Sequence, residues 1–327
     1  MKLGILGTGS IVKELLPHLE AIGVEKSYLF ATPRSQEKAE GMVAQYHLTG
    51  AVYDYDQLLA LDIDTVYVAL PNLLHYEYTK KALLHGKHVI LEKPAAPRRS
   101  ELEELFALAE ERGLFLIEAV PMLQREGYHI LRDAIAKIGK PKLATLYYCQ
   151  RSSRYDSFLR GELHPVFDPK MAGGALMDLG VYDLQALVGL FGPPKGVCYH
   201  ANMSQGGIDI SGILNLDYGH FQAAAYAAKD CASPDQSVFM GEEGQLLVDL
   251  RHLDGYTFIP RTGEKEVVRV ADTRDHRLCI EFQAFKRMIQ EKDFAAMNRL
   301  KEISLTVSGV MEQARKQAGI AFPGDKV

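Results

Sequence analysis

The sequence has few cysteines, no long apolar run and no excess of positive charge, and each absence excludes a class of protein. The four cysteines lie far apart without CxxC or other metal-site spacing, so we expect reduced thiols and no metal site. No apolar run approaches the roughly 20 residues that span a bilayer. A formal net charge of −5 with scattered Lys and Arg argues against a nucleic-acid-binding surface. The first strand begins at Lys2 and leaves no room for a signal peptide, so we expect a cytoplasmic protein that binds neither membrane nor nucleic acid.

The chain does contain enough apolar sequence for about two domains. It has 327 residues, of which 47% are hydrophobic and 24% charged, as in soluble globular proteins. Strand-like and helix-like segments alternate as far as Glu118, which predicts an α/β fold with a doubly wound parallel sheet. Residues 197–270 are strand-like with turn signals between them, which predicts a mainly antiparallel, open sheet. We expect a domain at 1–120 and a second, α+β domain at 121–327.

A glycine turn follows the first strand. Lys2–Leu6 runs into this turn, and an apolar-periodic helix follows it, which is the context of the Rossmann dinucleotide fingerprint. Gly7 suits the tight turn, and Gly9 allows a pyrophosphate to approach the backbone at the helix N-terminus. The third position of the fingerprint is Val12 rather than glycine, so helix and strand must pack slightly farther apart. The residues of this turn expected to contact the cofactor are Gly7, Thr8, Gly9, Ser10 and Ile11.

The end of the second strand favours NADP(H) over NAD(H). An NAD site places an Asp or Glu about 20 residues beyond the glycines, where it binds the ribose hydroxyls. No acid stands at the end of Ser27–Ala31; Arg34, Ser35 and Lys38 follow instead. A guanidinium and a hydroxyl suit a 2′-phosphate. The alternative is a solvated Arg34 at a helix start, and NAD(H) therefore stays possible.

The stretch His88–Pro94 reads HVILEKP, a buried strand that stops abruptly at a charged pair and a proline. Proline cannot continue a central strand and restrains Lys93 to an extended conformation. Lys93 is therefore predicted at the carboxyl end of a buried parallel strand, where open α/β sheets bind their ligands. The preceding strand ends in the same crevice. The residues predicted there are Leu70, Pro71, Asn72, Glu92 and Lys93.

A longer motif makes the interpretation specific. The run LPNLLHYEYTKKALLHGKHVILEKP resembles the P-N-x-x-H…E-K-P signature of the glucose–fructose oxidoreductase/inositol dehydrogenase (Gfo/Idh/MocA) family. The resemblance implies that Lys93 lies beside the nicotinamide and the substrate, often with a cis bond to Pro94. It implies that Asn72 and His75 line the cofactor cleft. ARKQAGI is similar to the family's last helix, here about 300–318, which packs back toward the first domain.

The segment GGALMDLGVYDL resembles the family's G-G-A-L-x-D-x-G-x-H/Y helix. Asp178 and Tyr182 are four residues apart and so are predicted to share one helix face. Gly180 costs about 0.5–1 kcal/mol in a helix interior, which indicates a close approach by the nicotinamide or a neighbouring backbone. The alternative is an ordinary helix with one exposed acid. Tyrosine in place of histidine is similar to dihydrodiol dehydrogenase and glucose–fructose oxidoreductase, which use NADP.

A long polar loop is predicted at Arg151–Ala172, and long loops in compact domains are often functional. Arg154 and Tyr155 are the candidates for the substrate pocket, although most side chains of the loop are expected to pack it against its own domain. Upstream, the stretch from Glu118 to Arg125 departs from many family members, which carry an Arg and a His-Pro there. That departure weakens any transfer of substrate from better-known members.

Together these patterns predict an NADP(H)-dependent oxidoreductase that acts on a secondary alcohol or carbonyl of a sugar, polyol or diol. One alternative is an NAD(H)-dependent inositol or sugar dehydrogenase. The other is a dinucleotide-binding sensor without turnover, against which the presence of both Lys93 and Tyr182 argues. The family often dimerises through the open face of its antiparallel sheet, so a homodimer or a higher even oligomer is expected.

The catalytic assignment concerns three residues. Hydride transfer from an alcohol requires that the hydroxyl proton also leave, and Tyr182 is predicted to accept or donate that proton. Lys93 is predicted to tune Tyr182, because a nearby ammonium lowers the pKa of a phenol by stabilising phenolate, and to polarise the substrate oxygen. Asp178 is predicted to orient a substrate hydroxyl or Lys93. The reverse assignment, with Lys93 as the base and Tyr182 only positioning, stays open.

Overall fold

The structure is a computed structural model that describes residues 1–271 and 275–325. These residues form two compact units, and each is described by itself. Unit 1 contains residues 1–121 and 275–305, and unit 2 contains residues 122–271 and 306–325.

Strands supply one sheet to each unit. The strands are β1 (Lys2–Leu6), β2 (Lys26–Phe30), β3 (Gly50–Val52), β4 (Thr65–Val68), β5 (His88–Glu92), β6 (Leu116–Ala119), β7 (Pro141–Cys149), β8 (Gly196–Met203), β9 (Asp209–Asp217), β10 (Gln222–Ala228), β11 (Ser237–Gly241), β12 (Gly244–Val248), β13 (Gly255–Pro260) and β14 (Glu266–Arg269).

Helices connect or cover these strands. The α-helices are α1 (Ser10–Leu15), α2 (Leu19–Ile22), α3 (Gln36–Tyr46), α4 (Tyr55–Ala60), α5 (His75–Leu84), α6 (Arg99–Glu111), α7 (Glu126–Ala134), α8 (Tyr155–Leu159), α9 (Val181–Phe191), α10 (Arg277–Glu291) and α11 (Phe294–Gln317). A π-helix, Leu176–Gly180, leads directly into α9. The 3₁₀ turns are Leu16–His18, Pro33–Ser35, Asn72–Leu74, Pro121–Gln124, Ile135–Ile138, Pro165–Phe167 and Pro169–Met171.

Unit 1 is built on a six-stranded sheet of order β3-β2-β1-β4-β5-β6, in which every pair is parallel. Apolar layers cover both of its faces. One joins Ile5 and Ile90 of the sheet to Phe282 of α10, and the other joins Val68 to Leu105 of α6. Because both faces are covered, the inner strands are near-continuous apolar runs. The predicted doubly wound sheet is confirmed.

Unit 1 also includes a segment from far along the chain. Leu278, Phe282 and Phe285 of α10 are fully buried in the same apolar cluster as β1 and α1. The division expected from sequence assigns everything after residue 120 to the second domain, whereas residues 275–305 group with the parallel sheet. The physical reason is the apolar face of α10, whose burial against the first unit supplies about 25 cal/mol per Å² of apolar area.

Unit 2 is built on an eight-stranded sheet of order β14-β13-β12-β11-β7-β10-β9-β8. Only β7 and β10 pair in parallel, so the predicted mainly antiparallel sheet is confirmed. Phe191 at the end of α9 packs on Phe221 and Phe239, with ring centroids 4.9 and 5.9 Å away. The helical stretch Pro169–Phe191 is long and apolar enough to span a bilayer by composition, but 67% of its most apolar window is buried, as in a core helix.

The predicted loop at residues 151–172 contains local structure. It holds α8 and two of the 3₁₀ turns, and Phe158 stacks on Phe167 with centroids 4.5 Å apart. Phe167 is 1% exposed and so anchors the segment to unit 2. These aromatic contacts could not be predicted from the polar composition of the segment, because they join residues that are not neighbours in sequence.

Candidate functional site

The glycine turn of unit 1 has the geometry that a dinucleotide diphosphate needs. Gly7 has φ +107°, and a Cβ there would lie 2.6 Å from the carbonyl oxygen of Ala69, so only glycine fits. A Cβ on Gly9 would meet no described atom within 4 Å, which leaves open space above the start of α1. Val12 is fully buried in the apolar core, so the residue at the third fingerprint position packs the helix on the sheet. The turn fits a diphosphate held by backbone N–H groups.

The segment after β2 exposes positive charge. Arg34 lies in the 3₁₀ turn Pro33–Ser35 and Lys38 in the first turns of α3; both are exposed, and Ser35 is half-buried. Neither Arg34 nor Lys38 forms an ion pair with any residue that the structure describes. Arg34 is therefore available to an anion, and these side chains fit the 2′-phosphate of NADP(H).

His75 holds the ends of two strands together from the inside. It is fully buried at the start of α5. Its Nε2 lies 2.7 Å from the carbonyl oxygen of Leu70, and its Nδ1 lies 3.0 Å from that of Pro94. Burial lowers the pKa of this imidazole. The ring thus ties the residue before Pro71 to the residue after Lys93, and the Lys93–Pro94 bond is cis, as the resemblance implies.

The backbone at Lys93 is fixed by buried carboxyl groups. Glu92, at the end of β5, accepts hydrogen bonds from the Tyr67 hydroxyl and from the backbone N–H of Lys93, the latter at 3.3 Å. Glu118 accepts from the N–H of Ala95 at 2.8 Å. Burial raises the pKa of Glu92, which is 8% exposed. Lys93 itself is half-buried, so its ammonium stands on a rigid support at the carboxyl edge of the sheet.

A second buried acid stands near Glu92 and was missed from the sequence. Glu281 of α10 is fully buried, and neither of its carboxyl oxygens has a hydrogen-bond partner among the described residues. Burial, with a smaller contribution from Glu92, raises its pKa well above the ordinary value. Burial and the neighbouring Glu92 carboxyl both favour the neutral form of Glu281. The sequence offered no signal, because the pair joins positions 92 and 281.

In unit 2 the double glycine makes room for a buried aspartate. Gly174 has φ +116°, and a Cβ there would lie 2.1 Å from Oδ1 of Asp209. Asp209 accepts hydrogen bonds at 2.7 Å from the N–H of Leu176 and from the Tyr199 hydroxyl. Burial raises the pKa of this carboxyl group. Asp209 thereby fixes the start of the π-helix that carries Asp178.

Asp178 and Tyr182 lie on either side of the junction between the π-helix and α9. A π turn inside a helix is rare and is frequently found at functional sites. Gly180, at the junction, is approached by side chains: a Cβ there would lie 3.2 Å from Leu176 Cδ1 and 3.4 Å from the Cβ of Ala227. Within unit 2 the nearest neighbours of Gly180 are thus side chains of the π-helix and of β10, and an approach by the nicotinamide stays a prediction.

Tyr182 stacks on a second tyrosine that sequence reasoning missed. Its ring centroid lies 4.6 Å from that of Tyr148 in β7, with the planes 16° apart. The guanidinium of Arg251 lies 5.7 Å from the Tyr148 centroid and forms an ion pair with Asp235. Stacked rings of this kind contribute about 0.5–1.5 kcal/mol beyond their burial. The stack restrains the ring of Tyr182.

Asp178 forms an ion pair with Lys229, the residue after β10. Lys229 is 2% exposed, and its Nζ lies 5.4 Å from the ring centroid of Phe167. Burial lowers the pKa of the neighbouring His164 imidazole, and the positive charges of Arg154 and Lys229 lower it further. Asp178 is thus paired with a buried cation within unit 2.

The two predicted substrate residues have different surroundings. Tyr155 belongs to the aromatic cluster of its own segment, 6.2 Å from Phe167 by ring centroids, with the Arg151 guanidinium 5.3 Å from its centroid. Arg154 is half-buried, and its guanidinium has no hydrogen bond or ion pair with a described residue. Its charge reaches His164, so Arg154 is the better candidate for contact with a substrate. In residues 1–271 and 275–325, no group of three or more His, Cys, Asp or Glu is arranged to hold a metal ion.

Comparisons with known proteins agree with this geometry. Residues 1–119 match the family model described as an oxidoreductase family with an NAD-binding Rossmann fold, and residues 128–247 match the GFO/IDH/MocA C-terminal domain. The chain is 34% identical to scyllo-inositol 2-dehydrogenase (NADP(+)) of Bacillus subtilis, covering 100% of this chain and 99% of that protein.

Two further likenesses extend over nearly all of the chain. D-xylose 1-dehydrogenase (NADP(+)) 2 of Haloferax volcanii is 27% identical, with 98% of this chain and 99% of that protein covered. Among solved structures, a 3-ketoreductase from Actinomadura kijaniata, in complex with NADP and TDP-benzene, has a TM-score of 0.83 at 24% identity, covering 97% of each chain. The structural likeness confirms the predicted fold of both units.

Proposed function

The chain belongs to the Gfo/Idh/MocA family of oxidoreductases, and on that premise we propose that it transfers hydride between NADP(H) and a secondary alcohol or carbonyl of a sugar, polyol or diol. The predicted NADP(H)-dependent oxidoreductase is confirmed by its relatives, whose names include NADP(+)-dependent dehydrogenases of an inositol and a pentose. The observation that carries the proposal is the position of Lys93 at the end of β5, where the buried carboxyl groups of Glu92 and Glu118 hold the backbone around it. The scyllo-inositol enzyme makes a cyclic polyol the first substrate to test.

The residues of unit 1 fit the cofactor. The turn from Gly7 to Ile11 would hold the diphosphate through its backbone N–H groups, and Arg34, Ser35 and Lys38 would hold the 2′-phosphate. Bound NADP(H) would supply the hydride acceptor or donor. Leu70, Pro71, Asn72 and Glu92 lie at the carboxyl ends of β4 and β5, where open α/β sheets bind ligands.

We propose the following division of labour among the reacting groups. When an alcohol is oxidised, the carbinol carbon loses a hydride and its oxygen must lose a proton. Tyr182 takes that proton, and in the reverse direction returns it to the carbonyl oxygen. Lys93 polarises the same oxygen through its ammonium, and Asp178 accepts a hydrogen bond from another substrate hydroxyl. The Tyr148 stack, which restrains the Tyr182 ring, supports this role because proton transfer requires fixed geometry.

Turnover tests the proposal against the sensor alternative. The purified chain should oxidise at least one member of a panel of inositols, aldoses and vicinal diols with NADP⁺, or reduce the matching ketone with NADPH, followed by absorbance of the reduced cofactor. Both substrate directions should be assayed at several pH values. Tight NADPH binding without turnover of any panel member would favour the sensor and contradict the proposed function.

Cofactor preference should depend on Arg34. NADP(H) is expected to bind more tightly than NAD(H), and Arg34→Ala should weaken NADP(H) alone. Loss of a charge-assisted hydrogen bond to phosphate, about 1.5–3 kcal/mol, corresponds to roughly 10- to 150-fold in Kd. Fluorescence titration of both cofactors measures this, with Arg132→Ala as the control, since Arg132 is an exposed arginine of unit 2. Equal affinities in the wild type would contradict the assignment.

We also propose that the chain forms a homodimer or a higher even oligomer through the open face of the unit 2 sheet. Tyr147 and Tyr226 stack in register on this face, with centroids 4.8 Å apart. Apolar side chains beside them are exposed: Leu143 by 51% and Ile213 by 39%. Large apolar side chains exposed on one face of a sheet support an interaction surface there.

Sedimentation velocity at micromolar concentration tests the assembly. The wild type should sediment as a dimer or a multiple of it, and Ile213→Asp should shift it toward the monomer, because a charge would be buried at the contact. Leu163→Asp is the matched control, since Leu163 is 62% exposed but lies outside the sheet. A monomeric wild type would rule out the proposed interface.

We further propose a cytoplasmic location, which the four free cysteines support.

A further inference from the structure

We propose that Lys229 is a positioning residue of this site: it fixes the orientation and charge of Asp178, so that Asp178 selects substrates with a hydroxyl beside the reacting carbon. The proposal rests on the proposed function of the site. The observation behind the proposal lies within unit 2, where Lys229 forms an ion pair with Asp178. It takes no part in proton transfer itself.

The backbone holds Lys229 on both sides. Its N–H donates to the carbonyl oxygen of Ile210 at 2.8 Å, and its own carbonyl oxygen accepts from the N–H of Ser152 at 2.8 Å. The side chain therefore leaves a fixed point at the end of β10. It passes Phe167, which is 1% exposed, before its ammonium reaches Asp178. A lysine held in this way has lost the rotamer freedom that makes most surface pairs weak.

The exposure of the two partners is unequal, and this inequality gives them different roles. The Lys229 side chain is 3% exposed, whereas that of Asp178 is 31% exposed. A buried ammonium is tolerated only when it is paired, so Lys229 depends on Asp178 for its charge partner. Asp178 is the end of the pair that a ligand can reach, and Lys229 is the support behind it.

Two further titratable groups lie near this ion pair. They are His164, from the segment before the π-helix, on which Lys229, Asp178 and Arg154 all act, and Asp209, from β9, on which Lys229 acts. Burial lowers the pKa of His164 and raises that of Asp209, so both are driven toward their neutral forms. The ion pair with Lys229 favours the carboxylate form of Asp178, which accepts hydrogen bonds.

A fixed carboxylate acceptor acts on substrate choice. A site built to bind a substrate hydroxyl rejects an analogue that lacks it far more strongly than an apolar pocket rejects a missing methylene, because the polar group of the site is left unpaired. Asp178 should therefore favour vicinal diols and polyols over their monodeoxy analogues. Without Lys229 the carboxylate would lose the ion pair that fixes its orientation, and this preference would weaken.

The test compares Lys229→Met, Lys229→Arg, Asp178→Asn and the double variant that combines Lys229→Met with Asp178→Asn. Lys140→Met is the control, since Lys140 is an exposed lysine of the same unit. On the best polyol, kcat/KM should fall roughly 10- to 100-fold in Lys229→Met, mainly through KM, and its acid limb should move to higher pH. Discrimination against the monodeoxy analogue should fall in parallel. Lys229→Arg should recover part of the loss.

The double variant decides between positioning and a merely structural role. If Lys229 acts through Asp178, the double variant and Asp178→Asn should discriminate equally poorly against the monodeoxy analogue, since removing the support of an absent carboxylate changes discrimination no further. The double variant should be the more stable of the two, because Asp178→Asn leaves the buried ammonium of Lys229 unpaired. Independent, additive losses would overturn the proposal, as would unchanged discrimination in a folded Lys229→Met protein. If Lys229→Met does not fold, the double variant, which leaves no unpaired charge, gives the comparison.

Equilibrium binding separates this proposal from the proposed function. Calorimetric titration of the polyol into the NADP⁺-saturated protein needs no turnover. Weaker polyol binding in Lys229→Met, with wild-type NADP⁺ binding, supports the positioning role even for a protein that turns nothing over. A wild type that turns over the polyol while Lys229→Met binds and discriminates normally would overturn the positioning role and leave the proposed function intact.

Discussion

Replacing Tyr182 with phenylalanine is expected to lower kcat roughly 10²–10⁴-fold, the range of a positioned acid–base group, while NADP(H) binding survives. The substitution removes one oxygen and keeps the ring, so the stack on Tyr148 should remain. The loss is therefore expected in the chemical step rather than in folding. Single-turnover absorbance of the reduced cofactor, with a melting curve of each variant, measures both.

Two comparisons sharpen this expectation. Tyr147→Phe removes a hydroxyl from another stacked tyrosine of unit 2, on the open face of the sheet, and should keep the wild-type rate. Tyr182→His should restore part of the activity with a shifted pH profile, because imidazole titrates near neutrality. Nearly full activity in Tyr182→Phe would remove Tyr182 from the proton-transfer role.

Much of unit 1 could be predicted because its signals are local. The strand Lys2–Leu6, the glycine turn and α1 follow one another without a break, and so do β5, Lys93 and Pro94. Each of these patterns is specified by periodicity and by residues that stop a strand or a helix. The assignment of α10 to unit 1 was not of this kind, because its apolar face packs in one cluster with strands more than 150 residues earlier in the sequence.

The same distinction divides the candidate site. Asp178 and Tyr182 were found because they share one short motif with Gly180. Lys229 was missed because it contacts Asp178 from 51 positions away, and a lysine after the alanine-rich strand β10 has no periodic signal of its own. Tyr148 was missed for the same reason. Side chains that support a reacting group are brought to it by the fold, so the sequence around that group does not reveal them.

The partners of a motif residue also depend on packing, which the motif does not specify. The cost of Gly180 predicts a close approach, and the described atoms nearest to a Cβ at this position belong to the side chains of Leu176 and Ala227. A glycine shows that space is needed without showing what occupies it. His75 likewise stood in a recognised motif, yet its two ring nitrogens lie at the carbonyl oxygens of Leu70 and Pro94. A motif residue can thus shape a site by holding its backbone.

Replacing Lys93 with methionine should abolish most of the activity, with a loss in kcat of at least about 10²-fold, because the substrate oxygen would lose the cation that polarises it. Methionine is an unbranched side chain only one heavy atom shorter than lysine, so it should leave the backbone contacts of Glu92 and Glu118 intact. NADP(H) affinity should therefore change little. Lys87→Met is the matched control, since Lys87 is a half-buried lysine of unit 1 whose ammonium donates to the carbonyl oxygen of Ile63 at 2.8 Å.

The pH profile of Lys93→Met separates the two catalytic assignments. If Tyr182 moves the proton and Lys93 tunes it, removing the ammonium raises the pKa of the group that limits alcohol oxidation, and the residual rate should keep rising to higher pH than in the wild type. If Lys93 is the base, the rise of the oxidation rate with pH should be absent from Lys93→Met and should persist in Tyr182→Phe. A dead Lys93→Met beside a nearly fully active Tyr182→Phe would reverse the roles of the two residues.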